Sequence, residues 1–178
     1  GNDSNTIECT TIGTLNNILI NDSLNGAPVV ASEVSITLLS STSPDITISG
    51  SDVVISSPLA VGLYTLEYQI CEILNPTNCA IATVTINVAD NNAPVIPTLA
   101  DITGECSATA TAPTAEDNCA GTITATTTDP LTYTTQGTFV ITWTFDDGNG
   151  NVVTATQNVI VDNTTAPVIP TLVDVTGE

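Results

Sequence analysis

Acidic and amide side chains cluster in three short stretches of this chain, and their oxygen atoms are the ligands that hard cations prefer. The stretches are residues 90–92, the pair Glu116 and Asp117, and the run Asp-Asp-Gly-Asn-Gly-Asn at 146–151. In a β-sandwich the first residue of a module lies close to the loops at the same end, so these stretches can meet in one place. We therefore predict a calcium site, and its candidate ligands are Asp90, Asn92, Asp117, Asp146, Asp147 and Asn149.

The run at 146–151 has a second interpretation as a plain hairpin turn, because Asp-Gly and Asn-Gly dipeptides suit left-handed backbone positions. From Asp147 onwards it also follows the D-x-N-x-N spacing of an EF-hand, but Val152 replaces the required glycine and Asn158 replaces the bidentate glutamate. An EF-hand is therefore excluded. A turn alone and a turn with a bound cation both remain open.

The composition removes most catalytic mechanisms. The chain has 19 acidic residues and no Lys, Arg or His, so nucleophiles activated by His, Schiff bases and His-ligated zinc are not available. Only carboxylate pairs remain, Glu116 with Asp117 and Asp146 with Asp147. Adjacent residues of an extended chain point apart and cannot flank one glycosidic bond. We predict that the protein is not an enzyme.

The formal net charge of −19 also limits the partners. Nucleic acid is excluded, because phosphate binding depends on Lys and Arg. An anionic membrane surface is excluded for the same reason. No apolar run is long enough to predict insertion into a membrane.

Five cysteines with no cationic side chain to activate them as nucleophiles predict disulfides and an oxidising, extracellular compartment. We expect Cys71 to pair with Cys79 across a short loop, and Cys106 to pair with Cys119, since each bridge then stays within one module. Cys9 is left over. We expect its partner in a segment that precedes this sequence.

Short runs in which apolar and polar residues alternate predict strands with one buried face. Such runs occur at residues 34–38, 64–70 and 83–88 in the first half and at 138–145 in the second, with turn residues between them and no helical periodicity. We predict an all-β fold of tandem immunoglobulin-like antiparallel β-sandwiches. Trp143 is expected in a core rather than on a ligand-binding surface, because Phe139, Ile141 and Phe145 share its face of the strand.

Residues 93–105 and 166–178 are two copies of one segment, identical at eleven of thirteen positions and offset by 73 residues. A repeat of this size is typical of modules in series. We expect residues 1–9 to be a linker from a preceding module, 10–89 and 90–165 to be two β-sandwiches, and 166–178 to be the first strand of the next repeat. Proline-terminated junctions predict an end-to-end arrangement with limited bending.

Several motifs resemble known repeat families. Residues 90–165, with Asp-Asn-Asn-Ala-Pro at 90, Gly-Glu-Cys at 104 and Ala-Glu-Asp-Asn-Cys at 115, resemble hyalin-repeat (HYR) modules, which are immunoglobulin-like. They resemble in particular the modules of giant cell-surface adhesins of Bacteroidota. The first half, with Ile-Cys-Glu-Ile-Leu-Asn-Pro-Thr-Asn-Cys at 70, is similar to the cadherin-like or immunoglobulin-like repeats of the same proteins. One departure is Gln157, where the hyalin-type pattern often has a further cysteine.

The resemblance implies a segment of a gliding-motility adhesin exported by type IX secretion, and a linker of the cadherin type that calcium stiffens. We therefore expect a non-catalytic stalk whose partners are neighbouring repeats and, through distal regions, a surface polysaccharide. Two alternatives remain open: a module whose own loops bind a polysaccharide, and a fibre subunit in which residues 166–178 donate a strand. Ser23, within Asp-Ser-Leu, resembles an O-glycosylation site and also fits a plain turn.

Overall fold

The computed structural model describes residues 2–171, and their regular structure is β-strand apart from one 3₁₀ turn at Ala31–Glu33. The all-β fold predicted from the alternating runs is confirmed. Within this part of the chain no helix is long and apolar enough to cross a membrane.

The first module is a sandwich of two sheets. Its strands are β1 (Asp3–Glu8), β2 (Gly13–Asn17), β3 (Ser23–Leu24), β4 (Ala27–Pro28), β5 (Val34–Ser41), β6 (Ile46–Ser49), β7 (Asp52–Ile55), β8 (Gly62–Glu72) and β9 (Cys79–Ala89). One sheet has the order β1-β9-β8-β5 and the other β2-β7-β6, while β3 and β4 form a separate hairpin. Leu66, Tyr68 and Ile86 from the first sheet and Ile46 and Val53 from the second are fully buried between them. Each follows the period-two pattern of its strand.

Strand β1 corrects one expected domain boundary. Asp3–Glu8 pairs in parallel with β9, from Asp3 opposite Val84 to Glu8 opposite Ala89. Residues 1–9 are therefore not a linker from a preceding module, because Asp3–Glu8 forms an edge strand of the first sheet. The alternation of this strand is weak, since it is only half buried, and the pairing is with a strand about 80 residues away.

The second module has fewer and shorter strands. They are β10 (Ile102–Gly104), β11 (Ala108–Thr109), β12 (Thr114–Asp117), β13 (Gly121–Thr124), β14 (Thr132–Tyr133), β15 (Gly137–Asp146) and β16 (Val152–Val161). The main sheet has the order β10-β16-β15, and β12 with β13 and β11 with β14 form two-stranded pairs. As in the first module, the first long-range pairing is parallel, because β10 runs beside the last strand, β16.

Trp143 lies at the centre of the second core. It is 1% exposed, and Ile141 and Phe145 on the same face of β15 are completely buried. The Trp143 indole Nε1–H donates to the Gln157 side-chain oxygen of β16 at 2.9 Å, so the buried polar group is satisfied. The expectation of a core tryptophan is confirmed.

The strand expected over residues 166–178 stays a prediction. Residues 166–171 contain no strand, and residues 172–178 lie outside the described part of the chain. The corresponding residues of the second module are also irregular at first, with Val95 making one isolated bridge to Glu116 before β10 begins at Ile102.

Candidate metal centre at the joint between the modules

A disulfide joins the two modules. Cys9 is bonded to Cys119, with Cα atoms 5.8 Å apart. The parallel pairing of β1 with β9 brings Cys9 to the end of the first module, where its N–H donates to the Ala89 carbonyl at 3.1 Å. Cys119 lies in the turn between β12 and β13 of the second module. The two modules are therefore connected twice at the joint, by the Cys9–Cys119 bond and by the main chain of the linker at Asp90.

This bond corrects two expectations. The Cys106–Cys119 pairing is wrong, since Cys119 is bonded to Cys9 and Cys106 is exposed and unpaired. Cys9 has its partner within this chain rather than in a preceding segment. The rule that each bridge stays in one module failed because β1 ends beside the linker. The second expected bridge, Cys71–Cys79, is present, and the two residues are opposite each other at the ends of β8 and β9.

Asp90 is the linker residue at the centre of the candidate site. It is only 7% exposed. The Asn92 backbone N–H donates to its Oδ1 at 3.1 Å, and the Asn149 amide donates to its Oδ2 at 3.1 Å. The Asn151 amide donates to the Asp90 main-chain carbonyl, also at 3.1 Å. The turn between β15 and β16 therefore holds the linker through two asparagines.

Asp117 contributes a second carboxylate from the end of β12. Its Oδ1 accepts the backbone N–H groups of Cys119 and Ala120, both at 2.8 Å, which closes the turn into β13. Its Oδ2 is buried and has no hydrogen-bond partner. A buried carboxylate oxygen without a partner is costly, so a cation bound beside this atom would stabilise the turn.

Asp147 contributes the third carboxylate from the turn between β15 and β16. Its Oδ1 accepts the backbone N–H of Asn149 at 2.7 Å and that of Asn151 at 3.1 Å, and its Oδ2 accepts the Asn151 amide at 2.6 Å. Partial burial acts to raise the pKa of Asp147, but the hydrogen bonds from Asn151 and Asn149 outweigh it and hold that pKa below its ordinary value. Asp147 is therefore held as an anion.

The three carboxylates converge. One oxygen each of Asp90, Asp117 and Asp147 lies within 4.8 Å of the other two. Two oxygens that each lie about 2.4 Å from a Ca²⁺ ion can be no more than about 4.8 Å apart, so the spacing fits that ion. The chain has no Lys, Arg or His, so no side chain can neutralise the cluster. The donor set, all oxygen and anionic, fits a hard divalent cation.

Glu8 adds a fourth carboxylate from the first module. It lies in a group with Asp90 and Cys119 whose ligand atoms are within 4.8 Å of one another, although the Cys119 sulfur is bonded to Cys9 and cannot act as a thiolate. The Glu8 carboxylate accepts the side-chain N–H and the backbone N–H of Asn91. Glu8 thus faces the linker at the edge of the site.

Of the other predicted ligands, Asp146 is not one of the converging carboxylates, and the amides Asn92 and Asn149 stay predicted ligands. Asp146 is exposed, and its Oδ1 accepts the Gly148 N–H at 2.9 Å within the turn. Asn92 contacts Asp90 through its backbone only, and Asn149 donates through its amide nitrogen. Sequence reasoning missed Glu8 and Asn151. Asn151 continued the D-x-N-x-N spacing and was discounted with the EF-hand, while Glu8 had no signal without the β1–β9 pairing.

Ser23 lies away from the joint. It is exposed in β3, next to a hairpin turn in which Asn25 and Gly26 have φ of 52° and 82°. An Asn-Gly pair with two positive φ values forms a tight hairpin, so the turn lies at Asn25 and Gly26. The interpretation of Asp-Ser-Leu itself as a plain turn is wrong, because Ser23 and Leu24 form a strand. O-glycosylation of Ser23 stays a prediction.

No protein family and no curated protein matches the sequence. Among solved structures, the chain is similar to protocadherin gammaB7 EC3-6 (17% identity, 93% of this chain, 47% of that chain, TM-score 0.41). It is also similar to mouse cadherin-23 EC22-24 (16% identity, 90% of this chain, 63% of that chain, TM-score 0.43). A third similar structure is Drosophila N-cadherin EC1-4 (13% identity, 91% of this chain, 48% of that chain, TM-score 0.44). This chain spans less than two thirds of each of those chains. These identities and TM-scores are too low to support an argument about function. The function of this chain therefore has to be argued from the residues of the joint.

Proposed function

We propose that this chain is a non-catalytic spacer segment of an extracellular repeat protein, in which a disulfide and a bound Ca²⁺ ion hold two β-sandwiches in one relative orientation. One observation carries the proposal. Three converging carboxylates, Asp90, Asp117 and Asp147, lie beside the Cys9–Cys119 bond in a chain without a single cationic side chain.

Each of the three carboxylates comes from a different segment at the joint. Asp90 is in the linker, Asp117 ends β12 and Asp147 begins the turn after β15. A divalent cation would supply positive charge that offsets the repulsion among these groups. The Oδ2 atom of Asp117, which has no hydrogen-bond partner among the described residues, is available to such an ion. Binding there therefore links the linker to two loops of the second module. Restraint of the linker is what a spacer requires.

Two further features support an extracellular structural role. Disulfides persist in oxidising compartments, and this chain has one within a module and one across the joint. The net charge of −19 makes neighbouring copies repel each other, which opposes lateral association. The resemblance to adhesin repeats supports the narrower proposal of a cell-surface stalk that presents a distal adhesive region, as in gliding-motility adhesins exported by type IX secretion.

Calcium binding is tested by calorimetric titration and by thermal unfolding with Ca²⁺ or a chelator. We expect saturable binding and a higher melting temperature of the second module. Extracellular calcium sites often have a Kd of about 0.1–1 mM, so 1 mM Ca²⁺ stabilises the folded state by about 0.4–1.4 kcal/mol. The single tryptophan, Trp143, lies in the second module, so its fluorescence reports that module.

Two variants in the same region distinguish the loss of a calcium ligand from the general loss of one negative charge. Asp117→Asn is expected to abolish the calcium-dependent shift, because it removes one of the three converging carboxylates. Asp146→Asn removes the same charge from an exposed position outside the cluster and is expected to keep the shift. No heat of binding with the unaltered chain, or an equal loss in both variants, would exclude the cation from the proposal.

The spacer role itself is tested by small-angle scattering and by a glycan array. We expect a monomeric, elongated particle that shows no saturable binding to glycans. A globular particle with both cores fused, or saturable binding of one glycan, contradicts the spacer role and favours the polysaccharide-binding alternative.

A further inference from the structure

Cys106 is exposed and unpaired, yet it occupies the same place in its module as Cys9 does in the first. Both end a Thr-x-Glu-Cys segment, at residues 6–9 and 103–106. Each segment begins in a first strand that runs parallel to the last strand of its own module. Cys9 directly follows β1, and Cys106 is the second residue after β10. The two cysteines therefore leave corresponding strands at the same end of corresponding sheets.

The glutamate before each cysteine holds the linker that leaves the module. Glu8 accepts the side-chain and backbone N–H groups of Asn91 in the first linker. Glu105 accepts the Thr165 hydroxyl at 2.7 Å and the Thr164 hydroxyl at 3.4 Å in the second. The equivalence of Cys9 and Cys106 thus extends to their surroundings.

The backbone at Cys106 is also fixed beside the second linker. Gln136 donates its amide to the Glu105 carbonyl at 2.8 Å, and its side-chain oxygen accepts the Asn163 N–H at 2.8 Å. The Asp162 N–H donates to the Gly104 carbonyl at 2.9 Å. Cys106 is therefore held where the chain enters its next module, as Cys9 is held beside Ala89.

The sequence after this linker begins another module of the second kind, since residues 166–178 repeat residues 93–105 at eleven of thirteen positions. A complete copy of residues 90–165 would contain an equivalent of Cys119 in the turn between β12 and β13, the turn that is bonded to the first module here. The second linker has one more residue between its aspartate and Ala-Pro than the first. One residue adds up to about 3.5 Å of reach. The second linker is therefore long enough to let Cys106 approach the next module as Cys9 approaches Cys119.

We propose that Cys106 forms a disulfide with the Cys119 equivalent of a following module of the same kind, so that every joint of the array is bridged from a Thr-x-Glu-Cys strand end to the next Glu-Asp-Asn-Cys turn. The proposal rests on the serial arrangement of the proposed spacer but not on the cation. It makes Cys106 one half of an interface whose partner is another copy of residues 90–165.

The bond forms by thiol–disulfide exchange with a donor disulfide, such as that of an oxidoreductase or oxidised glutathione. The Cys106 thiolate attacks the donor, forms a mixed disulfide and releases one donor thiol. The thiolate of the partner cysteine then attacks the Cys106 sulfur and releases the second. The two protein thiols lose two protons and two electrons in total, and the donor is reduced to two thiols.

The test extends the chain by placing a second copy of residues 106–165 after Glu178, which completes a third module in register. The extended protein is refolded with a glutathione redox buffer, digested without reduction by a protease that cleaves after acidic residues, and mapped by mass spectrometry. We expect Cys106 bonded to the appended copy of Cys119, with Cys9–Cys119 and Cys71–Cys79 unchanged. One thiol per chain then remains, that of the appended Cys106 copy.

Two variants of the extended chain serve as controls. Cys106→Ser is expected to leave the appended Cys119 copy as a second free thiol and to lower the melting temperature of the third module alone. Cys9→Ser is expected to leave the new bond in place. Three free thiols in the unaltered extended chain, a Cys106 bond within its own module, or a Cys106 bond between two chains each overturns the proposal. Because the mapping needs no calcium, failure of the cation site does not affect it.

Discussion

The first module buries Tyr68 and Leu66 between a four-stranded and a three-stranded sheet, whereas the second packs a smaller set of buried residues around Trp143. Fourteen buried residues form the first core among the described residues, and nine form the second, four of which are alanines. The first module also has its own disulfide between Cys71 and Cys79, while the second shares its only bridge with its neighbour. The first module is thus stabilised by a disulfide of its own, and the second by a disulfide at the joint.

This difference indicates that the stability of the second module depends on the joint, whereas the stability of the first module does not. Cys119 belongs to the second module but packs against the first core, and the turn after β15 holds the linker through Asn149 and Asn151. Loss of the joint therefore removes restraints from the second module that its small core does not replace. The first module keeps its two sheets and its hairpin disulfide. The second module should unfold first, and more readily when the joint is open.

The largest effect is expected from Trp143→Ala. This change leaves a cavity at the centre of the smaller core and should cost about 3–5 kcal/mol, close to the total stability of a small module. Hydrogen exchange by mass spectrometry should show lost protection throughout β15 and β16, with the first module unaffected. Val140→Ala is the matched control, because Val140 is exposed on the other face of β15. Equal loss of protection in both modules would contradict their separate stabilities.

The second effect is loss of the joint disulfide by the double change Cys9→Ser and Cys119→Ser. When only the second module unfolds, Cys9 stays beside Ala89, so the bond closes a loop of about 30 residues. The chain-entropy relation gives about 3–4 kcal/mol for such a loop. Denaturant unfolding followed by Trp143 fluorescence should show this loss.

The Cys71→Ser and Cys79→Ser pair is the control for the joint. It opens a loop with a sequence separation of 8, which corresponds to about 2.5 kcal/mol in the first module. The Trp143 signal should remain unchanged, since Trp143 lies in the second core. If the joint double change leaves that signal unchanged as well, the second module does not depend on the joint.

Local patterns in the sequence were sufficient for much of this architecture. The alternating runs located β8, β9 and β15, and the acidic stretches at 90–92, 116–117 and 146–151 contain all three converging carboxylates. These features are visible because a strand has period two and a turn has its own residue preferences. The joint disulfide was not predicted, because it depends on the parallel pairing of β1 with a strand about 80 residues away. The repeated Thr-x-Glu-Cys segment was the signal that could have indicated it.

The smallest effect concerns a charge inside the first module. The Asp3 carboxylate accepts hydrogen bonds from the Tyr68 hydroxyl at 3.4 Å and the Asn21 amide at 2.9 Å. Burial, and then the negative charge of Asp22, raise the pKa of Asp3 above its ordinary value. Its protonated form is thus favoured in the folded state, so its contribution to stability is complete below about pH 4 and is lost as the pH rises through the raised pKa.

Asp3→Asn stays neutral at every pH, so its stability relative to the unaltered chain should increase as the pH rises from about 4 to 7. Unfolding of the first module is followed by hydrogen exchange of β8 and β9 peptides, while Trp143 fluorescence monitors the second module separately. Glu67→Gln removes a charge from the exposed face of β8, beside Tyr68 in sequence, and should show no comparable trend. A pH-independent difference for Asp3→Asn would mean that the charge is not disfavoured in the folded first module. The pH trend should be absent from the Trp143 signal, because the two cores are separate.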